Sequence, residues 1–463
     1  MPGAFVSTDR IRSLFTDAMS QMYRTEVPQY GALIELVGQV NAEVLARDQE
    51  LSERLRHAGE LERIDVERHG AIRLGTAEEL FTIRRLFAVM GMQSVGYYDL
   101  SVAGVPVHST CFRPVEEKAL NINPFRVFTS LLRLELIEDE ELRAEAAAIL
   151  ARRRVYTPRA IALIEQNEKA GGLTEAEAAE FVAEALETFR WHGEATVSAE
   201  TYKRLHDAHR LIADVVSFKG PHINHLTPRT LDIDEVQRRM PERGITPKAV
   251  IEGPPRRNCD ILLRQTSFKA LEEPIAFTGE AGTRSGTHTA RFGEIEQRGI
   301  ALTPKGRGLY DQLLEQSRKV VRPAADGSNA DAYEAALAAT FEAFPDDWAT
   351  IRTEGLGYFS YSLTEKGMKA STDAADIETL VSDGLVQFDP IVYEDFLPVS
   401  AAGIFQSNLG DGAQQEFVAS PNQQRFETDL GAKVLNEFDH YAGIEQASID
   451  ECLSRLSRRP AAQ

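Results

Sequence analysis

The segment IDVERHGAIRLGTAEELFTIRRLFAVMG, residues 64–91, opens the part of the chain that decides the fold. Its first half has the pattern of a strand, and its second half repeats apolar residues at the spacing of an amphipathic helix. Three further strand-like stretches follow, at residues 93–102, 106–115 and 125–134. The sequence therefore predicts a first module with the order β-α-β-β-β.

The same order begins again at Phe218. HINHLTPRT at 222–230 predicts a strand, and IDEVQRRMPERG at 233–244 predicts a helix. Three more strands are predicted, and they are AVIEGPP at 249–255, ILLRQTSFKA at 261–270 and ARFGEIEQRG at 290–299. No convincing residue identity links the two copies, so we infer a duplicated architecture rather than a sequence repeat.

Helical patterns surround the two modules, which makes α+β the predicted fold class. If the modules lie side by side, each forms half of a barrel around a shared groove. The predicted divisions are a helical N-terminal cover (1–60), the first module (61–137), a helical insertion (138–215), the second module (216–320) and a C-terminal segment that completes the pocket (321–463).

Composition excludes several classes of function. The chain has 463 residues, of which 26% are charged, and its formal net charge of -20 argues against a nucleic-acid partner. Its three cysteines are far apart, an odd number that fits a reducing compartment, so a cytoplasmic location is expected. Neither a signal peptide nor a run of 18 apolar residues is present, so we expect no membrane insertion. The oligomeric state is not predicted.

Two histidines and one glutamate are candidate metal ligands. His69 and His225 occupy the first predicted strands of the two modules, and Glu294 lies in the last strand of the second. Two imidazoles with one carboxylate are the protein ligands of mononuclear non-haem Fe(II) sites, which leave open positions for a 2-oxo acid and O2. His222 competes with His225, and strand alternation cannot separate Glu294 from Glu296 because they share a face.

Basic residues and glycine-rich stretches are further candidates for binding a ligand. Arg73 follows His69 by four residues on the same strand face, where it is equally compatible with a bidentate substrate clamp and with a structural ion pair. Arg256 and Arg257 are expected in a loop. Two glycine-rich stretches, GLGYFS from residue 355 and EAGTRSGT from residue 280, lack the strand and helix context of a nucleotide site.

Specific motifs resemble known families. FGEIEQRG resembles the terminal strand of 4-hydroxyphenylpyruvate dioxygenases, members of the vicinal oxygen chelate superfamily, and the alignment of Gln297 and Arg298 selects Glu294 as the ligand. Over nearly the whole chain the sequence is similar to the 2-oxoadipate dioxygenase/decarboxylase family. The segments that carry this resemblance are ERHGAIRLGT, GPHINHLTPRTLDID, IEGPPRR, ILLRQTSFKA, HTARFGEIEQRG, ALTPKGR and YEDFLPVSAAGIFQSNLG.

The resemblance implies an Fe(II) enzyme of lysine breakdown that converts 2-oxoadipate and O2 to (R)-2-hydroxyglutarate and CO2. It implies that iron is bound by His69, His225 and Glu294. It also implies that Arg73 and Val399 contact the 2-oxo acid and that His69 adjoins it, with Ser400 as a weaker candidate contact. Arg73 is the expected catalytic side chain. The alternatives are a non-oxidative lyase or isomerase with another metal on the same scaffold, and a binding protein without activity.

Overall fold

A five-stranded mixed sheet lies at the centre of the computed structural model, which describes residues 4–278, 284–289, 291–324, 327–372, 376–397 and 421–457. The strands are β1 (Arg68–Leu74), β2 (Gln93–Asp99), β3 (Val107–Arg113), β4 (Arg126–Leu132) and β5 (Leu226–Pro228). Their order is β2-β3-β4-β1-β5, and only the β1 and β4 pair is parallel. Because β5 comes from the second half of the sequence, the sheet joins the two halves.

Six further strands form three antiparallel pairs. They are β6 (Leu263–Ser267) with β9 (Glu294–Arg298), β7 (Glu273–Phe277) with β8 (Arg284–His288), and β10 (Phe359–Leu363) with β11 (Val386–Pro390). A parallel bridge between Arg229 and Glu296 places β9 beside the chain that leaves β5. Backbone pairing therefore continues from β1 through β5 to β9 and β6, which sets the strands of the three candidate ligands next to one another.

Helices occupy most of the remaining described chain. They are α1 (Thr8–Glu26), α2 (Pro28–Arg47), α3 (Gln49–His57), α4 (Ala77–Val89), α5 (Glu117–Ile122), α6 (Glu140–Arg152), α7 (Pro158–Ala170), α8 (Glu175–Leu186), α9 (Ala199–Ala208), α10 (Arg210–Val216), α11 (Ile233–Arg239), α12 (Pro304–Val320), α13 (Ala330–Phe341), α14 (Trp348–Thr353), α15 (Ile377–Ser382), α16 (Pro421–Leu430) and α17 (Glu437–Ser457). Short 3-10 turns lie at Leu100–Ala103, Leu134–Leu136, Glu187–Phe189, Met240–Arg243 and Gly367–Lys369. No helix among the described residues has both the length and the apolar character that crossing a bilayer requires.

Alternation along β1 divides its side chains between two environments. Ile72 and Leu74 enter a large apolar core that also contains residues of α1, α2 and α4. His69 and Arg73 face the other way, together with Ala71, whose apolar cluster includes residues of α6 and α10. Helices α1 and α2 thus pack on one side of the sheet, and helices α6 and α10 pack on the His69 side.

The predicted strand order is present in residues 68–132 but is wrong for the second copy. In the first copy the short helix α5 and the 3-10 turn Leu100–Ala103 are additional. In the second, AVIEGPP forms no strand and pairs through one bridge, from Glu252 to Gln265. Gly253 has a φ of 111° and two prolines follow it, so the ladder ends there. The sequence also failed to predict β7 and β8, between β6 and β9, and the pair β10 and β11.

Candidate metal centre

His69, His225 and Glu294 come together in the folded chain. His69 lies on β1, His225 immediately precedes β5, and Glu294 is the first residue of β9. One ligand atom from each lies within 4.8 Å of the others, and all three side chains are fully buried. The strand pairing described above produces this convergence, since β1 pairs with β5 and β5 is followed by the bridge to β9.

The contacts within this group leave polar atoms without partners. Nε2 of His69 lies 3.0 Å from Oε1 of Glu294, whereas Nε2 of His225 is 3.9 Å from the same oxygen. Among the described residues, neither ring nitrogen of His225 nor Oε2 of Glu294 has a hydrogen-bond partner. A buried polar atom without a partner costs about 1–3 kcal/mol. A divalent cation held by these three side chains would satisfy Oε2 of Glu294 and one ring nitrogen of His225, so the donor set fits a metal.

Burial also shifts the pKa values of two of the three candidate ligands. It lowers the pKa of His225 well below the ordinary value, with a further contribution from the neighbouring His69. The imidazole of His225 is therefore neutral, which is the form that binds metals. Burial raises the pKa of the Glu294 carboxyl. Its orientation is fixed by two donors to Oε1, Nε2 of Gln265 at 3.0 Å and Oγ1 of Thr227 at 3.2 Å.

The two competing residues have other partners. Nε2 of His222 lies 3.4 Å from Oδ1 of Asp214, away from the three-residue group. Glu296 contacts the opposite edge of the His69 ring, with Oε2 3.0 Å from Nδ1. Glu294 and Glu296 therefore lie on the same strand face and both contact the His69 ring. Glu294 contacts its Nε2, whereas Glu296 contacts its Nδ1.

Glu296 belongs to a buried charge network that sequence patterns did not reveal. Its carboxylate accepts hydrogen bonds from Arg298, at 2.8 Å to each oxygen, and from Nη1 of Arg126 at 3.1 Å. Burial disfavours the ionised form, but Arg298 and His69 outweigh that effect and lower the pKa of Glu296. A carboxylate that lies against Nδ1 of a histidine favours the tautomer with the proton on Nδ1, so Nε2 is the nitrogen available to a metal.

Arg73 makes the ion pair that was one of its two predicted roles. Its Nη1 donates to Oδ2 of Asp214 at 2.6 Å. It also lines a cavity of about 470 Å³ that adjoins the group, because Phe292 lines the same cavity and its ring centroid is 4.9 Å from that of His225. Both predicted roles of Arg73 therefore remain compatible with the fold.

The remaining positions named from the sequence do not belong to the three-residue group. Arg256 and Arg257 lie in a loop, where Nη2 of Arg257 donates to the carbonyl oxygens of Phe344 and Pro345. Val399 and Ser400 lie outside the described residues. The neighbouring Phe396 is described, and its ring meets the ring of His69 edge-on with centroids 4.9 Å apart.

Comparison with known proteins assigns the family. The model of the 2-oxoadipate dioxygenase/decarboxylase family matches residues 15–408. This chain belongs to that family. It is 60% identical over 98% of its length to the 2-oxoadipate dioxygenase/decarboxylase of Pseudomonas putida, covering 98% of that protein. The 2-oxoadipate dioxygenase/decarboxylase of Escherichia coli is 57% identical, and the match covers 96% of this chain and 98% of that protein.

A solved structure of the family agrees with the fold. The crystal structure of hydroxyglutarate synthase from Pseudomonas putida in complex with 2-oxoadipate matches with a TM-score of 0.91 and 59% identity. The match covers 98% of this chain and 99% of the other. The similarity thus extends across the strands and helices that surround the three-residue group.

Proposed function

We propose that this protein is an Fe(II)-dependent dioxygenase that converts 2-oxoadipate and O2 to (R)-2-hydroxyglutarate and CO2 in lysine breakdown. The observation that carries the proposal is the buried group of His69, His225 and Glu294 beside a cavity with a basic wall. Both ring nitrogens of His225 and Oε2 of Glu294 have no hydrogen-bond partner among the described residues. Family membership and the substrate complex of the Pseudomonas putida protein support the choice of 2-oxoadipate.

His69, His225 and Glu294 would hold the iron. Two imidazoles and one carboxylate with open positions are characteristic of Fe(II) oxygenases. When bound, the metal supplies Lewis-acid polarisation of the 2-oxo group and the redox chemistry of O2. Glu296 would keep Nε2 of His69 directed at the metal, and Gln265 with Thr227 would keep the Glu294 carboxylate in place.

The remaining residues bind and orient the 2-oxo acid. Arg73 would bind a carboxylate of the substrate, and Val399 with Ser400 would contribute further contacts. Phe268 and Phe292 line the cavity, where apolar walls exclude water. The reaction is balanced without a net proton, since C1 leaves as CO2 and both atoms of O2 enter the five-carbon product.

The finer architecture belongs to the same proposal. We infer two modules of the vicinal oxygen chelate type around the metal, at 61–137 and 216–320, of which the second departs from the predicted strand order because β7 and β8 lie between β6 and β9. The helical segments 1–60 and 138–215 would exclude water, and 321–463 would complete the pocket. The contact between Phe396 and His69 supports this role for the C-terminal segment. We also propose a cytoplasmic location.

The experiment that tests the function is turnover of 2-oxoadipate by the Fe(II)-loaded protein with and without O2. We expect 2-hydroxyglutarate and CO2 only when O2 is present, with one O2 consumed for each substrate molecule. Product formed without O2 would instead identify a non-oxidative lyase or isomerase.

Arg73→Lys tests the carboxylate contact. Lysine keeps the charge but cannot form the planar, two-pronged contact of a guanidinium. We expect unchanged metal content and a fall in kcat/KM for 2-oxoadipate of about 10- to 100-fold, the loss of one charge-assisted hydrogen bond. The matched control is Arg256→Lys, because the Arg256 side chain is 67% exposed in a loop. Kinetics that match those of the control would make Arg73 purely structural.

A further inference from the structure

The lining of the cavity beside the candidate metal centre includes one buried aliphatic hydroxyl group. Three residues of the described lining have such a group, and they are Ser267, Thr287 and Thr289. Both threonines are exposed, whereas the side chain of Ser267 is fully buried. Ser267 therefore belongs to the inner wall of the cavity, away from its opening.

Strand pairing places Ser267 beside one of the candidate metal ligands. Ser267 is the last residue of β6 and lies directly opposite Glu294, the first residue of β9. Side chains of directly opposite residues in an antiparallel pair share a face, with Cβ atoms about 5 Å apart. Gln265, two residues earlier on β6, is on this face too, and its Nε2 donates to Oε1 of Glu294 at 3.0 Å. The Ser267 side chain is thus at the metal end of the cavity.

The hydroxyl group of Ser267 has no partner within the part of the chain that the structure describes. Its Oγ is closed to solvent and forms no hydrogen bond there. Oε2 of Glu294 on the same face also has no hydrogen-bond partner, so the hydroxyl does not bond to the carboxylate beside it. Buried polar groups without partners are rare in folded proteins and call for a specific explanation. A bound ligand that accepts a hydrogen bond from Oγ would provide one.

The reacting end of a 2-oxo acid has the acceptors that this hydroxyl requires. That end carries a carboxylate and a keto oxygen, and the proposed function places both at His69, His225 and Glu294. A serine hydroxyl can donate one hydrogen bond. The bond is stronger when the acceptor is an anion. Ser267 is therefore suited to the end of the substrate that meets the metal.

We propose that Ser267 binds the substrate by donating a hydrogen bond from Oγ to an oxygen of its 2-oxo carboxylate end. The inference rests on the proposed function and adds a substrate-binding residue to its site. A donor fixed on the cavity wall restricts rotation of the bound carboxylate, so the C1–C2 bond that breaks is held in one orientation. Gln265 and Thr227 orient the Glu294 carboxylate, and Ser267 orients the substrate beside it.

The test is ligand binding to the Fe(II)-loaded Ser267→Ala protein without O2, so that no turnover occurs. The ligands are 2-oxoadipate and 2-oxohexanoate, which share the 2-oxo carboxylate end but differ at the other end. We expect the variant to bind both ligands about 10- to 100-fold more weakly than the wild type, by the same factor, because one hydrogen bond to a charged group is lost from the shared end.

The matched control is Ser317→Ala. Ser317 lies on α12, where its side chain is also fully buried and its Oγ has no hydrogen-bond partner among the described residues. It is not part of the cavity lining. The control makes the same chemical change at a site without ligand contact, so it should bind both ligands as the wild type does.

Metal content and stability distinguish substrate binding from a structural role. The Ser267→Ala protein should retain the wild-type metal content by elemental analysis. The denaturant midpoint of its metal-free form should equal or exceed that of the wild type, because the substitution removes a buried hydroxyl that has no partner. A loss of metal would mean that Ser267 acts through Glu294, and a lower midpoint would make it structural. Either result would overturn the proposal.

The binding results also have outcomes that contradict the role of Ser267. Unchanged affinity for both ligands would show that the hydroxyl does not meet the substrate. Weakening of 2-oxoadipate alone would place the contact at the other end of the molecule.

The same measurements separate this inference from the proposed function. Weaker binding of both ligands by Ser267→Ala, together with a wild-type protein that consumes no O2, would support the contact and contradict the dioxygenase. Unchanged binding by Ser267→Ala, together with O2-dependent turnover by the wild type, would contradict the contact alone.

Discussion

Glu294→Gln is expected to abolish metal binding and turnover together. The amide has nearly the same shape as the carboxylate but cannot supply the negative charge that a divalent cation requires from this position. The variant should still fold, because burial already raises the pKa of Glu294 and thus disfavours its charge when no metal is bound. The measurements are elemental analysis of protein reconstituted with Fe(II), O2 uptake with 2-oxoadipate, and thermal unfolding.

The matched control for this variant is Glu354→Gln. Glu354 is exposed after α14 and is not part of the three-residue group. The Glu354→Gln protein should bind the same amount of metal as the wild type and turn over substrate at the same rate. A Glu294→Gln protein with full metal content would remove Glu294 from the ligand set.

Arg126→Met is expected to lower the free energy of unfolding by about 3–5 kcal/mol, the usual cost of removing one partner from a buried ionic network. Its guanidinium is fully buried and contacts three carboxylates: Glu67 at 2.8 Å, Glu394 at 2.5 Å and Glu296 at 3.1 Å. Without it, these acidic groups would remain buried with less compensation. The loss should appear as a lower denaturant midpoint of the metal-free protein.

An exposed ion pair provides the comparison for Arg126. Arg159 pairs with Glu180, and their side chains are 47% and 43% exposed. Exposed pairs contribute little to stability, so Arg159→Met should change the free energy of unfolding by no more than about 1 kcal/mol. If Arg126→Met were no more destabilising than Arg159→Met, the network would not be a major source of stability.

Periodicity and resemblance together anticipated the three residues that converge. Strand alternation put His69 and Arg73 on one face, and the two strand-rich blocks suggested that His225 and Glu294 would meet them. Alternation could not decide between Glu294 and Glu296, because both do reach His69. The distinction lies in which ring nitrogen each carboxylate meets, and that depends on the β1, β5 and β9 arrangement in three dimensions.

The basic wall of the cavity could not be predicted from local patterns. Asp214 and Arg210 lie in a helical insertion, where their spacing indicates only a shared helix side. Their proximity to Arg73, 141 residues from Asp214 in the sequence, arises from tertiary packing. The same holds for Arg126 and Glu394, which are 268 residues apart. Pairings of this kind leave no periodic signal in a single sequence.

In the second strand-rich block, the apolar pattern alone predicted a strand that does not form. AVIEGPP has apolar residues but also Gly253 and two prolines, which reduce its pairing to one bridge. The last four residues of EAGTRSGT lie in β8 (Arg284–His288), a strand that the sequence did not predict. There His288 packs against Asp214, a tertiary contact that sequence alone does not indicate.

The central claim is most directly tested by turnover of 2-oxoadipate under isotopically labelled O2 with the Fe(II)-loaded wild type. The account predicts that both labelled oxygen atoms enter 2-hydroxyglutarate, one in its hydroxyl group and one in the newly formed carboxylate, while the released CO2 carries no label. Formation of an unlabelled product, or formation of the same product when O2 is omitted, would contradict the account.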